Sequence, residues 1–232
     1  MPKIISHRGN FEEASDMEDG RSRLRAVCQR GWGAELDLRW KGGTPYISHD
    51  PLDDISERRA EPIFKMLSNY EAGPVAVNVK EVCCLQETVS LIADAGLLGR
   101  AFLFDMELAE SRRGETAKTF RRLSEKVQLA ARVSDRNESV TEALKLDCCE
   151  IIWLDEFDRF WATEKDLIRL RTAGRKIYAV SGELHEFSKS RVVNRWRQLL
   201  CWGVDGICTD WCSLLETVIR GDNDGTFASS SL

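Results

Sequence analysis

Short apolar runs recur along the chain at intervals that leave room for one helix between neighbours. Eight of them read as strands: Lys3–Ser6, Gly33–Leu38, Val75–Val79, Ala101–Phe104, Leu129–Val133, Ile151–Leu154, Lys176–Val180 and Asp205–Cys208. Stretches with helical apolar spacing fall at about residues 20–30, 85–95, 107–120, 138–145, 164–173, 190–200 and 213–219. Runs and helices in alternation are the mark of βα units on a parallel sheet. Thr119–Ser124 competes with Leu129–Val133 for the fifth strand. Eight units favour closure into a single (β/α)8 TIM barrel, an α/β fold. The rival is an open doubly wound sheet, but no Gly-x-Gly-x-x-Gly turn follows the first strand to cradle a phosphate. A further run, Thr44–Ser48, follows Lys41-Gly42-Gly43 and reads as a hairpin extension after the second strand. The barrel then occupies residues 1–220, and residues 221–232, ending Ala-Ser-Ser-Ser-Leu, read as a disordered tail.

Composition narrows the class. A chain of 232 residues suits one barrel and leaves little room for a second core. Its 43% hydrophobic and 31% charged residues are ordinary for a soluble protein. A net charge of -5 argues against nucleic acid, whose binding rests on clustered Lys and Arg, and leaves a small molecule as the expected partner. No apolar run approaches the roughly 20 residues that span a bilayer. Met1–Ser6 enter a strand without a signal-peptide core, so the expected location is the cytoplasm. The eight cysteines sit in or beside apolar runs and read as reduced thiols; Cys208 and Cys212 lack a second pair at zinc-site spacing. The seven tryptophans fall near strand and helix boundaries, where packing accounts for them, although Trp40, Trp153 and Trp211 are also placed to wall a pocket. The oligomeric state stays open.

The chemistry gathers at one end of the predicted barrel. His7, His49 and His185, the only histidines, each follow the C-terminal end of a predicted strand, the rim where barrel active sites are built. Alternation on the second strand puts Ala34, Leu36 and Leu38 toward the helices and Glu35, Asp37 and Arg39 on the other face. Two carboxylates inside a barrel need compensation, from a divalent cation or from an ion pair with Arg39. The third strand repeats the parity, with Ala76, Asn78 and Lys80 inward. Lys80 is then placed to balance a phosphate, or else Asn78 and Lys80 hydrogen-bond the two carboxylates and fill the barrel without a ligand.

In order along the chain, Ile5-Ser6-His7-Arg8-Gly9, Glu35-Leu36-Asp37 and His49-Asp50 resemble the His-Arg-Gly, Glu-x-Asp and His-Asp motifs of the glycerophosphodiester phosphodiesterase family. Gly203 to Asp210 is similar to that family's eighth strand, so the resemblance spans nearly the whole chain. It implies a metal-dependent phosphodiesterase acting on a small glycerol- or sugar-linked phosphodiester. His7 and His49 would be its acid and base, Arg8 and Lys80 its phosphate contacts, and Glu35 and Asp37 its ligands for Mg2+ or Ca2+. Two departures stand out. Asn78-Val79-Lys80 replaces the family's Glu-x-Lys, which leaves Asn78 as a neutral third metal ligand, and Phe11 to Asp16 lacks the usual Pro-Glu-Asn-Thr. The segments around Asp105, Trp153–Phe157 and Val180–His185 look like a divergent branch of the superfamily. They put Asp105, Asp155, Glu183 and His185 on the rim, with Glu183 and His185 as further substrate contacts; helix capping is the alternative for the two aspartates. The competing function is a phosphate-ligand-binding barrel, weakly catalytic or not catalytic, that lost the third metal carboxylate.

Overall fold

The computed structural model describes residues 1–12 and 20–223. Strands and helices alternate as β1 (Lys3–Ser6), α1 (Gly20–Gln29), β2 (Gly33–Lys41), β3 (Thr44–Ile47), α2 (Ala60–Ser68), β4 (Val75–Val79), α3 (Leu85–Asp94), β5 (Ala101–Phe104) and α4 (Met106–Ala109). They continue as α5 (Glu115–Leu123), β6 (Gln128–Val133), α6 (Val140–Leu144), β7 (Ile151–Leu154), α7 (Glu164–Thr172), β8 (Lys176–Val180), α8 (Lys189–Cys201), β9 (Gly206–Thr209) and α9 (Cys212–Asn223). The sheet order is β1-β9-β8-β7-β6-β5-β4-β2-β3, and β1 also pairs with β2. That last pairing closes eight parallel strands into a barrel, so the open-sheet alternative falls away. β3 lies outside it, antiparallel to β2 with Leu38 opposite Ile47 and Lys41 opposite Thr44.

Strand alternation builds two cores. Ala34, Leu36 and Leu38 of β2, Val75, Val77 and Val79 of β4, and Leu129, Ala131 and Val133 of β6 pack outward against the helices. Ile5, Ala76, Phe102, Phe104, Trp153 and Tyr178 are among the residues filling the barrel axis. There Phe102 stacks on Tyr178 at 5.2 Å between ring centroids and Phe104 meets Trp153 at 4.2 Å. Such pairs contribute about 0.5–1.5 kcal/mol each beyond their buried area. At Gly33 a Cβ would stand 2.3 Å from the carbonyl oxygen of Pro74, so only glycine lets β2 enter beside the loop before β4.

Four expectations need correction. Helix α2 was not anticipated between the hairpin and β4; its Ala60, Ile63, Phe64 and Leu67 are buried, but the charged run Asp53–Glu61 precedes and overlaps it and hides the short apolar stripe. The helix expected at 107–120 is two helices, broken at Gly114 (φ 79°), where the Glu110 carboxylate accepts the N–H groups of Gly114 and Thr116 and caps α5. Thr119–Ser124, the rival fifth strand, lies in α5 apart from Ser124. The last helix runs to Asn223, three residues into the expected tail, and residues 224–232 lie outside the described residues.

All eight cysteines are free thiols. A thiol reductant is therefore expected to leave the melting temperature unchanged. A fall of several degrees on reduction would reveal a disulfide, whose loss costs roughly 2–4 kcal/mol. Among the described residues no helix is long and apolar enough to cross a membrane.

Candidate active site

The residue following β1, β4, β5, β7, β8 and β9 is polar in every case: His7, Lys80, Asp105, Asp155, Ser181 and Asp210. These form one mouth because all the barrel strands point the same way. Just past β1 the chain makes a single 3-10 turn, His7–Gly9, with Arg8 (φ 53°) and Gly9 (φ 75°) both left-handed. A non-glycine residue held there costs about 1–2 kcal/mol. The turn gives Arg8 a reach to both inward carboxylates of β2. Its backbone N–H donates to Glu35 Oε2 at 3.2 Å, and its Nε stands 2.8 Å from Asp37 Oδ2.

Lys80 Nζ approaches Asp37 from the other side, 3.0 Å from Oδ1. Asp37 is 2% exposed, and neither cation meets it with hydrogen-bond directionality, so both of its oxygens are buried without a hydrogen bond. Glu35 beside it is fully enclosed. Burial and the Asp37 charge push its carboxyl up to about 7, against the opposing pull of His7, Arg8 and Lys80. The two carboxylates and two cations balance in charge.

His7 Nδ1 lies 3.1 Å from Asp210 Oδ1. A carboxylate only accepts, so Nδ1 carries the proton and Nε2 is the nitrogen left for exchange. Burial disfavours the imidazolium, but the Asp210 hydrogen bond and the charges of Glu35 and Asp210 outweigh it and hold the pKa above the ordinary histidine value. Asp210 is itself held: Glu183 accepts its backbone N–H at 3.0 Å and also accepts the hydroxyls of Thr209 and Ser181. Sequence reasoning missed Asp210 although it lies in the last of the quoted motifs.

His49 is half exposed, and its Nδ1 pairs with Asp50 Oδ1 at 2.9 Å, the same Asp–His arrangement as at His7. Arg8, Asp37 and His49 line a common cleft of about 710 Å³. Arg39 does not join the inward carboxylates. It pairs with Glu81 and donates to the His49 carbonyl at 3.0 and 2.8 Å, fixing the loop that carries His49.

Across the barrel runs a second polar chain, and the sequence reading overlooked its centre. Arg132 points inward from β6 and pairs with Asp105 and, at 2.6 Å, with Asp155. Asp105 accepts a hydrogen bond from Asn78 Nδ2 at 3.2 Å, and Asp155 Oδ1 lies 2.6 Å from His185 Nε2. Asp105 stands at the N-cap position of α4, but its side chain makes no capping hydrogen bond. Asn78 bonds Asp105 rather than Glu35 or Asp37, while Lys80 does take Asp37. Burial raises the Asp105 pKa, and the Arg132 charge opposes this. Glu183 and His185 both have internal partners, and neither is among the residues lining the cleft. Trp153 belongs to the inner core, Trp40 donates its indole N–H to Thr88, and Trp211 packs edge-on against Trp196, so the cleft wall is built without the three tryptophans.

Among the described residues no group of three or more His, Cys, Asp or Glu side chains is placed to hold a metal ion. The oxygen donors that β2 and β4 turn inward here are the Glu35 and Asp37 carboxylates and the Asn78 carboxamide. Their chemistry suits a hard cation: the two buried Asp37 oxygens accept no hydrogen bond and are met only by the charges of Arg8 and Lys80, at 2.8 and 3.0 Å.

Fold and site together define a (β/α)8 barrel with a charged, histidine-bearing C-terminal mouth. No protein-family model matches the chain, and no curated protein matches it. Solved structures do match its fold. A provisionally named glycerophosphoryl diester phosphodiesterase from Silicibacter pomeroyi DSS-3 is similar at a TM-score of 0.71 and 12% identity, over 96% of this chain and 94% of that one. A glycerophosphoryl diester phosphodiesterase from Parabacteroides distasonis ATCC 8503 gives 0.69 and 14%, over 99% and 89%. A phosphodiesterase from Oleispira antarctica, in complex with the product sn-glycerol-3-phosphate, gives 0.67 and 16%, over 95% and 97%.

Proposed function

We propose that the chain is a phosphodiesterase of the glycerophosphodiester type that hydrolyses a small phosphodiester at the end of the cleft lined by Arg8, Asp37 and His49, where His7 adjoins Arg8 without itself lining the cleft. The observation that carries this reading is the Arg8–Asp37–Lys80 cluster beside Glu35: buried carboxylates and cations converge where a phosphate and a hard cation suit one another. The fold likeness to phosphodiesterases, one of them holding glycerol 3-phosphate, supports it.

The roles follow from the partners. Arg8 and Lys80 offset the phosphate charge. One imidazole takes the proton of the attacking hydroxyl or water as its oxygen bonds to phosphorus; the other gives a proton to the ester oxygen as its bond to phosphorus breaks. Asp210 and Asp50 hold the two rings with Nε2 free for this exchange. Glu183 acts through Asp210, and His185 secures Asp155 on the far wall, so both are positioning residues in this scheme. Glu35, Asp37 and the Asn78 carboxamide would hold Mg2+ or Ca2+, which supplies charge stabilisation to the phosphoryl oxygens.

One observation favours a second reading, a phosphate-binding barrel without turnover. With Glu35 ionised, the Glu35, Asp37, Arg8 and Lys80 charges already balance, so a cation adds two uncompensated charges unless an anion arrives with it. The enzyme reading therefore predicts cooperative binding: weak Mg2+ or Ca2+ affinity for the free protein, and tighter affinity with glycerol 3-phosphate present. Asn78→Glu tightens metal binding without the phosphate. Titration calorimetry decides this. If neither Asn78→Glu nor Glu35→Ala changes metal affinity, the cation site is absent and the binding-barrel reading replaces the enzyme.

The pH dependence has a definite sign. With Glu35 near 7, a proton competes with the cation below neutrality. Metal affinity is expected to rise by up to about tenfold per pH unit below pH 7 and to level off above it. A flat profile between about pH 5.5 and 8 would remove Glu35 from the ligand set.

A further inference from the structure

The cleft extends well beyond Arg8, and its charge does not match the rest of the molecule. Its ionisable lining is Arg8, Arg21, Arg23 and Arg58 against Asp37 and Glu57, beside His49. Among the described residues that is a net positive lining on a chain of net charge -5. Arg8 is held by Asp37. Among the described residues, Arg21, Arg23 and Arg58 have no carboxylate partner, and Arg23 Nε is buried without a hydrogen bond.

These arginines come from two elements. Arg21 and Arg23 lie on the first turns of α1, and Arg58 ends the 3-10 turn Ser56–Arg58 ahead of α2. They converge at Gly20, where Arg58 Nη1 and Arg23 Nη2 stand 3.7 and 3.8 Å from the position a Cβ would take. Two guanidinium groups that reach the same stretch of backbone repel each other, and an anion between them offsets that repulsion. Planar guanidinium groups with free N–H donors are the side chains best suited to phosphate.

We propose that this arm of the cleft binds a second phosphate-type anion on the substrate. The scissile phosphodiester lies at Arg8 and Lys80, and the alcohol attached to it ends in a phosphate received by Arg23 and Arg58, with Arg21 at the rim. The substrate class is then a phosphodiester with a phosphorylated end, in preference to one with a neutral or cationic end. The volume of about 710 Å³ accommodates such a molecule. This inference rests on the phosphodiesterase reading of the Arg8–Asp37–Lys80 end.

Titration calorimetry with two probes tests it: sn-glycerol 3-phosphate, and a non-hydrolysable phosphonate analogue of a glycerol phosphodiester whose second alcohol is phosphorylated. Both are measured with Mg2+ or Ca2+ on the wild type, on Arg58→Gln and on Arg23→Gln/Arg58→Gln. The expected wild-type preference for the probe with two phosphate groups is about thirtyfold, the scale of one or two charge-assisted contacts. It falls to near one in the double variant and partway in Arg58→Gln, an exposed position that keeps the test valid if the double variant does not fold. A wild-type ratio near one, or a ratio that survives both variants, overturns the second-anion site and leaves the phosphodiesterase reading standing if the monophosphate binds. Binding of neither probe overturns both.

Discussion

His7→Ala is expected to lower phosphodiester turnover by about a hundredfold or more while the protein stays folded. Loss of a positioned acid or base costs roughly 10² to 10⁴ in rate. His7 is held by Asp210, sits in the field of Glu35, and has its pKa above the ordinary value, so it is poised to hold and release a proton near neutrality. His49→Ala follows the same logic with less structural risk, since His49 is half exposed. Asp210→Asn separates positioning from chemistry: it leaves the ring in place but weakens the imidazolium, so whichever limb of the pH–rate profile His7 sets moves down in pH. Turnover unchanged in folded His7→Ala removes that residue from the mechanism.

Arg132→Met is expected to produce the largest loss of stability at the mouth, about 3–5 kcal/mol, the usual cost of breaking a buried pair from one side. Arg132 is 3% exposed and is the shared partner of Asp105 and Asp155, which are 5% and 4% exposed. Removing it leaves two carboxylates facing each other inside the barrel. For a chain of this size the melting temperature then falls by about 10 °C. The sign with pH is fixed. A buried acid whose folded pKa is raised binds its proton more tightly folded than unfolded, so the loss grows as pH rises and is larger at about pH 8 than at about pH 5. A thermal melt within a degree of wild type at both pH values would show that the cluster is hydrated.

Periodicity carried the barrel because each strand obeys it locally. β1, β4, β5, β7 and β8 begin and end where the apolar runs do, and parity on β2 and β4 places Glu35, Asp37, Asn78 and Lys80 inside. The failures are equally physical. In α2 the stripe of Ala60, Ile63, Phe64 and Leu67 is short and follows a charged run, and α5 is cut from α4 by a left-handed glycine capped by Glu110. Parity on β6 also places Arg132 inward beside Ala130, a signal present in the sequence. Its partners are 27 and 23 residues away on other strand ends, and no local pattern links them. The pairing of His7 with Asp210 spans 203 residues and exists only once β1 lies against β9. The arginines of the cleft likewise meet only when α1 and the turn before α2 share a wall.

The most direct measurement is release of alcohol from a panel of small phosphodiesters by the wild type and by Glu35→Gln/Asp37→Asn, each with chelator and with added Mg2+ or Ca2+. The account predicts turnover of glycerol-linked phosphodiesters by the wild type only with the cation, an increase from about pH 6 to pH 8 as Glu35 ionises, and at least a hundredfold loss in the double variant. Turnover that is the same with chelator and cation, and that survives loss of both carboxylates, would contradict it.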